Sequence, residues 1–449
     1  MYDSISIEKM QTPTATLINT GFRTDAQSAS GLKGMPGLRS VAETVACECS
    51  VLREINDGIN QVMNDVVAAL TKPLSAREQD TRPPQRETAR IVISGDLSEV
   101  NRFFYRRGWS DGLPLVPPTE AAVAEMLQGT DLPPGHLVAK LEPRFGHATV
   151  EKIAVNAVMA GALPIHLPVI IAIVEGLADK NAGFGTYGCS TGSWAPFTLV
   201  NGPVRDVIQL NYGSGALSPG NIANAAIGRA VSLIAKNIAG ARKGVEDMGV
   251  LGNPAKYSQV LAEDEAGNPW EPEHVTRGYA PGESAITLFF PNSYNQLWPY
   301  GTDAQGILSA LVFNMMPARS GALTLFILPS THAQTLARAG WNKDSIKAHI
   351  AAKAMIPAHK HPSFHGSSLA ASNREHDLRD PAELVPLMRN PECMRIVVAG
   401  GPGSFMGVLT SSGLLGDFVT KPIRLPAEWD TLVKKYKNLT PKYEIFAAG

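Results

Sequence analysis

The segment from Thr149 to His274 constrains the fold most, because two apolar helices, a glycine-rich loop, a strand and a third helix follow one another with little between them. It opens with TVEKIAVNAVMAGALPIHLPVIIAIVEGLAD, passes through GFGTYGCSTGSWAPFTLVNGP and SPGNIANAAIGRAV, and ends with AEDEAGNPWEPEH. The helix that begins near Pro168 is apolar nearly all round, which is typical of a buried helix. Gly, Asn and Pro concentrate at the ends of these elements, which predicts a shaped cavity in addition to a packed core.

Residues 15–72 predict a compact β-α-β-α unit, with strands at 15–20 and 38–45 and helices at 25–32 and 53–71. The last helix has apolar residues at helical spacing, namely Ile55, Ile59, Val62, Met63, Val66, Val67 and Leu70. Two parallel strands with crossover helices cannot close a sheet alone. The unit therefore needs a partner surface, and we expect the protein to be an oligomer.

The predicted fold class is multi-layer α/β, with the partial β-α-β-α unit at 1–73 as an association domain. A charged, Pro-rich linker at 74–90 separates it from a helix-rich, cavity-forming region at 91–284 and an α/β region at 285–449. The helix-rich, cavity-forming region should begin with a strand at 91–94.

Strands and helices alternate in the last region. AITLFF and LTLFILP predict buried strands around the helix GILSALVFNMM, while KDSIKAHIAAKA and PAELVPLMRN predict helices. MRIVVAGG predicts a buried strand of the parallel type, and the GGPGSF loop lies at its carboxyl end, where open α/β sheets place ligands. The backbone amides of Gly400, Gly401 and Gly403 are candidate anion ligands, although glycines needed only for a turn would give the same pattern.

Composition excludes several classes of protein. The net charge of -1 offers no electrostatic footprint for nucleic acid or an anionic membrane. Four cysteines in 449 residues argue for a reducing compartment and against a disulfide framework. The amino terminus has no signal-peptide pattern, and the longest apolar run, LPVIIAIVEGLA, is too short to span a bilayer. We expect a soluble cytoplasmic protein that acts on a small molecule.

Cys189 is a candidate catalytic thiol, because glycine-rich backbone in GTYGCSTGSW could stabilise a thiolate. The alternative is a small buried cysteine with a packing role. Cys47 and Cys49 form a C-x-C pair for which we favour a structural role.

Glu265 and His274 are the candidate acid/base pair. Glu265 belongs to a run of three carboxylates, and crowded carboxylates raise one another's pKa, which can leave a proton donor near neutral pH. A solvated acidic turn is the alternative, but the Pro-Trp-x-Pro frame that follows is more rigid than such a turn needs. Polar or aromatic residues at element ends complete the candidate substrate site: Asp111, Asn156, Asn201, Asn221, Asn224 and Trp270.

His359, His361 and His365 have a spacing that could bind zinc or copper, although the same Pro-interrupted loop suits an exposed segment. This cluster supports an alternative function as a metal-dependent hydrolase or hydratase. Otherwise the sequence leaves any cofactor unknown.

Several stretches between residues 109 and 430 resemble the UGSC family of (seleno)proteins, which are named for a selenocysteine or cysteine followed by Gly-Ser-Cys. They are DGLPLVPPT, VEKIAVNAVMAGALPIHLPVIIAIVEGL, LVNGPV, GNIANAAIGRAVSLI, GNPAKYS, AEDEAGNPWEPEHV, IVVAGGPG and KPIRLPAEWD. The amino-terminal unit resembles only the second half of the family's small domain, and no C-G-S-C occurs in the chain. The resemblance therefore implies that a separate small subunit supplies the thiol, or that the protein works without it.

The favoured hypothesis is the large subunit of a heteromeric bacterial enzyme that performs thiol-dependent redox or elimination/addition chemistry on a small sulfur- or nitrogen-containing molecule. Cys189 or a partner thiol would be the nucleophile, with Glu265 and His274 as acid and base. The non-enzymatic alternative is a scaffold subunit.

Overall fold

The protein, described here from a computed structural model, has the multi-layer α/β fold that the sequence predicts. The structure describes residues 1–45, 51–79, 90–315, 323–360, 380, 382–388, 390–411 and 416–436. The chain divides into two compact units, the first made of Met1–Ser94 with Gly240–Met248 and the second of Gly95–Ala239 with Gly249–Gly449. Within the described ranges, no helix is both long and apolar enough to cross a bilayer.

The first unit confirms the predicted β-α-β-α order and adds a helix at its start. Its elements are α1 (Tyr2–Lys9), β1 (Thr16–Asn19), α2 (Arg23–Leu32), β2 (Ser40–Glu43) and α3 (Leu52–Thr71). β1 and β2 form a two-stranded parallel sheet. The apolar face of α3 is only partly covered, since Met63, Val67 and Leu70 are 43%, 51% and 42% exposed.

The second unit contains the remaining elements. Its helices are α4 (Leu97–Arg106), α5 (Glu120–Met126), α6 (Val150–Met159), α7 (Leu167–Leu177), α8 (Phe184–Tyr187), α9 (Val204–Val207), α10 (Ile222–Ile234), α11 (Glu273–Thr276), α12 (Ala304–Phe313), α13 (Ser330–Arg338), α14 (Lys343–Lys353) and α15 (Trp429–Tyr436). Its strands are β3 (Leu137–Leu141), β4 (Gly146–Thr149), β5 (Phe197–Asn201), β6 (Val260–Ala262), β7 (Ala285–Phe289), β8 (Ser293–Leu297), β9 (Thr324–Leu328), β10 (Met355–Pro357), β11 (Leu384–Pro386), β12 (Met394–Val398), β13 (Met406–Thr410) and β14 (Val419–Pro422).

Two four-stranded mixed sheets of this unit share one layout. In the first, β5 pairs in parallel with β6 and antiparallel with β7, which in turn pairs antiparallel with β14. In the second, β9 pairs in parallel with β12 and antiparallel with β13, which pairs antiparallel with β8. The fourth strands are exchanged, because β8 follows β7 in the chain and β14 follows β13. The protein thus contains two related strand sets that each complete the other's sheet.

Three strands of the second sheet, β9, β12 and β13, are buried on both faces, as expected for strands that lie between two layers. Along β9, Phe326 packs into one apolar cluster with Leu297 and Ile307, whereas its neighbour Leu325 packs into another with Phe197. Successive side chains of a strand point to opposite faces, so the sheet separates two cores. This arrangement confirms the buried strands predicted from the apolar runs.

Two predicted elements are wrong. Residues 91–94 form no strand, and Val92 is 93% exposed, because an apolar run becomes a strand only when another strand pairs with it. In PAELVPLMRN, which suggested a helix, Leu384–Pro386 instead form β11, antiparallel to β10. Pro386 interrupts helical hydrogen bonding but is tolerated in a short edge strand.

The caps of two predicted helices differ in how they form. Thr149 caps α6 by accepting a hydrogen bond from the Lys152 amide. Asn221 occupies the corresponding position before α10, but its side chain makes no capping bond.

Candidate functional site

Polar residues gather where β5 and β6 end. The two strands are parallel, with Thr198 opposite Val260 and Val200 opposite Ala262, so their carboxyl ends meet at one edge of the sheet. The chain leaves β5 as Asn201-Gly202 and leaves β6 as Glu263-Asp264-Glu265. This edge is the usual place for ligands in α/β folds.

The side chain of Asn201 connects two carboxylates. Its Nδ2 donates to Oε2 of Glu263 at 2.6 Å and to Oε1 of Glu265 at 3.1 Å. The Gly202 amide also donates to Oε1 of Glu265, at 2.7 Å. Gly202 has φ +84°, and a Cβ there would lie 2.2 Å from the Glu283 carbonyl oxygen, so only glycine fits.

Glu265 is therefore held by one of its two oxygens. Nε of Arg205 lies 3.4 Å from the same Oε1, while no donor in the described part of the chain bonds to Oε2. The Glu265 side chain is 15% exposed, in contrast to the fully buried Glu263. An anchored carboxylate with one free oxygen is suited to act as a general base.

Arg205 fixes the position of this carboxylate and is itself buried. Its guanidinium donates to the Glu263 carbonyl oxygen at 2.9 Å and lies 4.9 Å from the ring centroid of Tyr212. Planar guanidinium groups favour such stacked, bonded positions. Arg205 was not among the residues predicted from the sequence, although an Arg two residues after Asn-Gly-Pro at a strand end was a usable signal.

Glu263 lies behind Glu265 and has several donors of its own. The Asn268 side chain donates to Oε1 at 2.9 Å, the Glu273 amide donates to Oε2 at 2.8 Å, and Nζ of Lys343 lies 3.7 Å away. Burial raises the pKa of Glu263 from its ordinary value, and the Lys343 charge opposes that shift.

His274 is fully buried beside Glu265, with Nδ1 4.0 Å from Oε1. Neither ring nitrogen has a hydrogen-bond partner among the described residues, and the same holds for Oδ1 of Asn201. These buried atoms are therefore available to pair with a water molecule or a substrate group. The structure thus brings together Glu265, His274 and Asn201, three of the residues chosen from the sequence.

Cys189 lies at the other end of β5. Its thiol donates to the Gly185 carbonyl oxygen at 2.9 Å. The side chain of Asn253, which precedes β6, donates to the carbonyl oxygen of Ser193, which precedes β5. Cys189 thus precedes the amino end of β5, whereas the Glu265 carboxylate is bonded by Asn201 and Gly202 at the carboxyl end.

The polar residues around Asp111 serve to join elements. Arg229 of α10 forms a bidentate pair with Asp111 at 2.8 and 2.9 Å. The Asn156 side-chain oxygen accepts from Asn237, which lies in the π-helical turn after α10 and also donates to the Trp109 carbonyl oxygen. These contacts fasten the 109–114 segment to α10.

Two further residues predicted to bind substrate are held by the backbone. Asn224 exchanges hydrogen bonds with the Asn211 backbone and donates to the Val260 carbonyl oxygen. Trp270 donates its indole N–H to the Trp341 carbonyl oxygen at 3.0 Å and packs on an apolar core.

The glycine loop after β12 lines a cavity of about 350 Å³ together with the loop 213–218. The Gly400 amide already donates to the Tyr212 carbonyl oxygen at 2.7 Å and is thus not free to bind an anion. A Cβ on Gly401 would lie 2.8 Å from Cβ of Ser214, so glycine is needed there for close approach of the two loops. Gly403, at φ +152°, is needed for its backbone conformation.

The predicted metal cluster is only partly described. His359 lies in the single turn at Ala358–Lys360, whereas His361 and His365, like Cys47 and Cys49, lie outside the described residues. Among the residues that the structure does describe, no group of three or more His, Cys, Asp or Glu side chains is arranged to hold a metal ion.

No family model matches the chain, and no curated protein or solved structure is detectably similar to it.

Proposed function

We propose that the protein is an enzyme that uses Glu265 as a general base in elimination or addition reactions of a small organic molecule. The observation that carries this proposal is the geometry of the Glu265 carboxylate. Oε1 is fixed by Asn201, Gly202 and Arg205, and Oε2 is left without a donor among the described residues. Such preorganisation is what a catalytic carboxylate requires.

In an elimination, Oε2 of Glu265 would take a proton from carbon, and the electron pair of that C–H bond would form the new double bond as a leaving group departs. His274 lies close enough to exchange a proton with Glu265 through a bridging water molecule. Addition would follow the reverse course. The Asn201 side-chain oxygen, which has no partner among the described residues, could orient the substrate.

A general base that removes protons from carbon can be tested without knowing the physiological substrate. The protein would be incubated in D₂O with a panel of small carbonyl compounds and carboxylic acids, and deuterium incorporation at carbon followed by NMR. We expect exchange with at least one member of the panel, and its loss in Glu265→Gln. The matched control is Glu271→Gln, at an exposed carboxylate nearby. Exchange that survives Glu265→Gln would remove Glu265 from this role.

The nucleophile of this chemistry would be Cys189, which precedes the amino end of β5, or a thiol from another chain. A thiol supplied by a small partner subunit in the cytoplasm, as resemblance to the UGSC family implies, is compatible with the two-stranded sheet and half-covered helix of the first unit. Copurification of a small protein with C-G-S-C would support this part of the proposal. Activity of the isolated chain without any thiol would contradict it.

A further inference from the structure

The cavity beside the carboxylate cluster has an uncharged lining. It lies at the carboxyl ends of β9 and β12, between the 213–218 and 400–407 segments, and its volume of about 350 Å³ lies within the range of small-molecule sites. None of the residues that line it is Asp, Glu, Lys, Arg or His. A charged ligand would lose hydration here without gaining an ion pair.

Some backbone amides around the cavity are already bonded and cannot bind an anion. The Gly213 amide donates to the Asn211 side chain at 2.9 Å, and the amides of Ala399 and Gly400 donate to carbonyl oxygens at 3.0 and 2.7 Å. Anion-binding loops work by pointing several free N–H groups at one place. The three bonded amides are therefore unavailable for such a cradle.

Aromatic rings stand at the cavity mouth. Tyr294 and Phe405 are 49% and 48% exposed, and Phe405 packs edge-on against Trp298 with centroids 4.7 Å apart. Exposed rings beside an apolar floor, formed partly by Leu261 and Ile327, favour a flat ligand that stacks. Gln296 and the hydroxyl of Ser218 supply hydrogen bonds to a neutral polar group.

We propose that this cavity binds an uncharged small molecule that has a flat aromatic or conjugated body and an amide-like polar end. The inference goes beyond the proposed acid–base function, because the carboxylates are absent from the cavity lining. It is also tested by binding alone, so its failure would leave the role of Glu265 untouched.

Three probes of nearly equal shape separate the charge classes: benzamide, benzoate and benzylammonium. Ligand-observed NMR titration of the full chain tolerates millimolar dissociation constants. We expect benzamide to bind at least tenfold more tightly than either ion. Benzoate binding as tightly as benzamide would overturn the proposal in favour of an anion site, and absence of benzamide binding would overturn it outright.

Gln296→Glu tests whether the probe occupies this cavity. The residue is exposed on the edge strand β8, so the fold should tolerate the change. The new carboxylate should weaken benzamide several-fold and strengthen benzylammonium. Asn295→Asp is the matched control, since it carries the same charge change on the opposite face of β8. Equal effects of the two substitutions would show that the probe binds elsewhere.

Discussion

Nδ1 of His274 lies 4.0 Å from Oε1 of Glu265, in a buried position where neither ring nitrogen of His274 has a partner among the described residues. That distance is too long for a direct hydrogen bond but suits one water molecule bonded to both atoms at about 2.8 Å each. A water molecule or a substrate group placed between them would link the two side chains. Under the proposed function, proton transfer between the two residues would pass through that bridging group.

Glu265→Gln should change stability little. The amide oxygen can keep the bonds from Asn201 and Gly202, and Arg205 keeps Asp206 and the Glu263 carbonyl oxygen as partners. Only the extra strength of charged hydrogen bonds is lost, at a cost of about 1 kcal/mol. Glu265→Ala removes the acceptor altogether and should cost about 2–3 kcal/mol more. Urea unfolding of the two variants measures the difference. Equal and large losses for both would show that Glu265 is a structural residue.

His166 should make the protein less stable as the pH falls below about 6.5. Burial lowers the pKa of His166 to about 3, so the folded protein keeps the ring neutral while the unfolded chain takes up a proton. The unfolded state then binds more protons, and by pH 5 stability should have dropped by about 2 kcal/mol. Urea unfolding at pH 7.5 and pH 5 should show this drop in the wild type.

His166→Asn provides the comparison for this pH effect. The variant should be less stable at pH 7.5, because it loses the His166 ring that accepts from the Leu163 amide. Between pH 7.5 and pH 5, however, it should lose about 2 kcal/mol less stability than the wild type loses. The exposed His147 is the control position, and His147→Asn should keep the wild-type pH dependence. If the unfolding free energy of His166→Asn depends on pH as steeply as that of the wild type, the assignment of this pH effect to His166 is wrong.

The Asp111–Arg229 pair is expected to matter for folding and not directly for substrate binding. Burial raises the pKa of Asp111, but the hydrogen bonds and charge of Arg229 outweigh it and hold that pKa below its ordinary value. Asp111→Asn should therefore lower the free energy of unfolding by about 3 kcal/mol. Arg102→Ala, at an exposed helix position, is the control and should cost under about 0.5 kcal/mol. An Asp111→Asn variant that keeps its stability but binds substrate more weakly would instead support the prediction that Asp111 binds substrate.

The sequence predicted much of the fold because apolar periodicity reflects burial within single elements. Strands such as β9 and β12 are buried on both faces and read as continuous apolar runs. The exchange of β8 and β14 between the two sheets could not be predicted in this way. Pairing between distant strands leaves no periodic signal, and the exchange also hides the shared layout from any search for a repeat of fixed length.

Candidate site residues could be predicted from the sequence only where a polar residue stands at the end of a strand or helix. Asn201 and Glu265 could be chosen because polar residues directly follow apolar strands. Asp111 and Asn224 looked similar in sequence, yet the structure uses them to hold backbone segments. Residue type cannot separate these roles, since both need a polar group at a strand or helix boundary. Only the partner of each side chain decides between them.

Cys189 should react with iodoacetamide before Cys393. Burial raises the pKa of the Cys393 thiol, and nearby Asp417 adds to the shift, so its reactive thiolate is scarcer. Brief treatment of the native protein followed by peptide mass spectrometry would rank the four cysteines. We expect Cys189 to be labelled ahead of Cys47 and Cys49 as well, and preferential labelling of any other cysteine would contradict this prediction.

The exposed apolar face of α3 should mediate association with another chain. Met63, Val67 and Leu70 are 43%, 51% and 42% exposed, and burying such side chains fully is worth about 1.5–3 kcal/mol each before entropy is subtracted. Light scattering of the full chain should thus give a mass above the 47.9 kDa of one copy. Met63→Glu with Val67→Glu should reduce that mass, whereas Gln61→Glu on the polar face should not. If the wild type is monomeric, a different subunit would have to cover this face. A wild type that is monomeric and copurifies with no other protein would disprove the association.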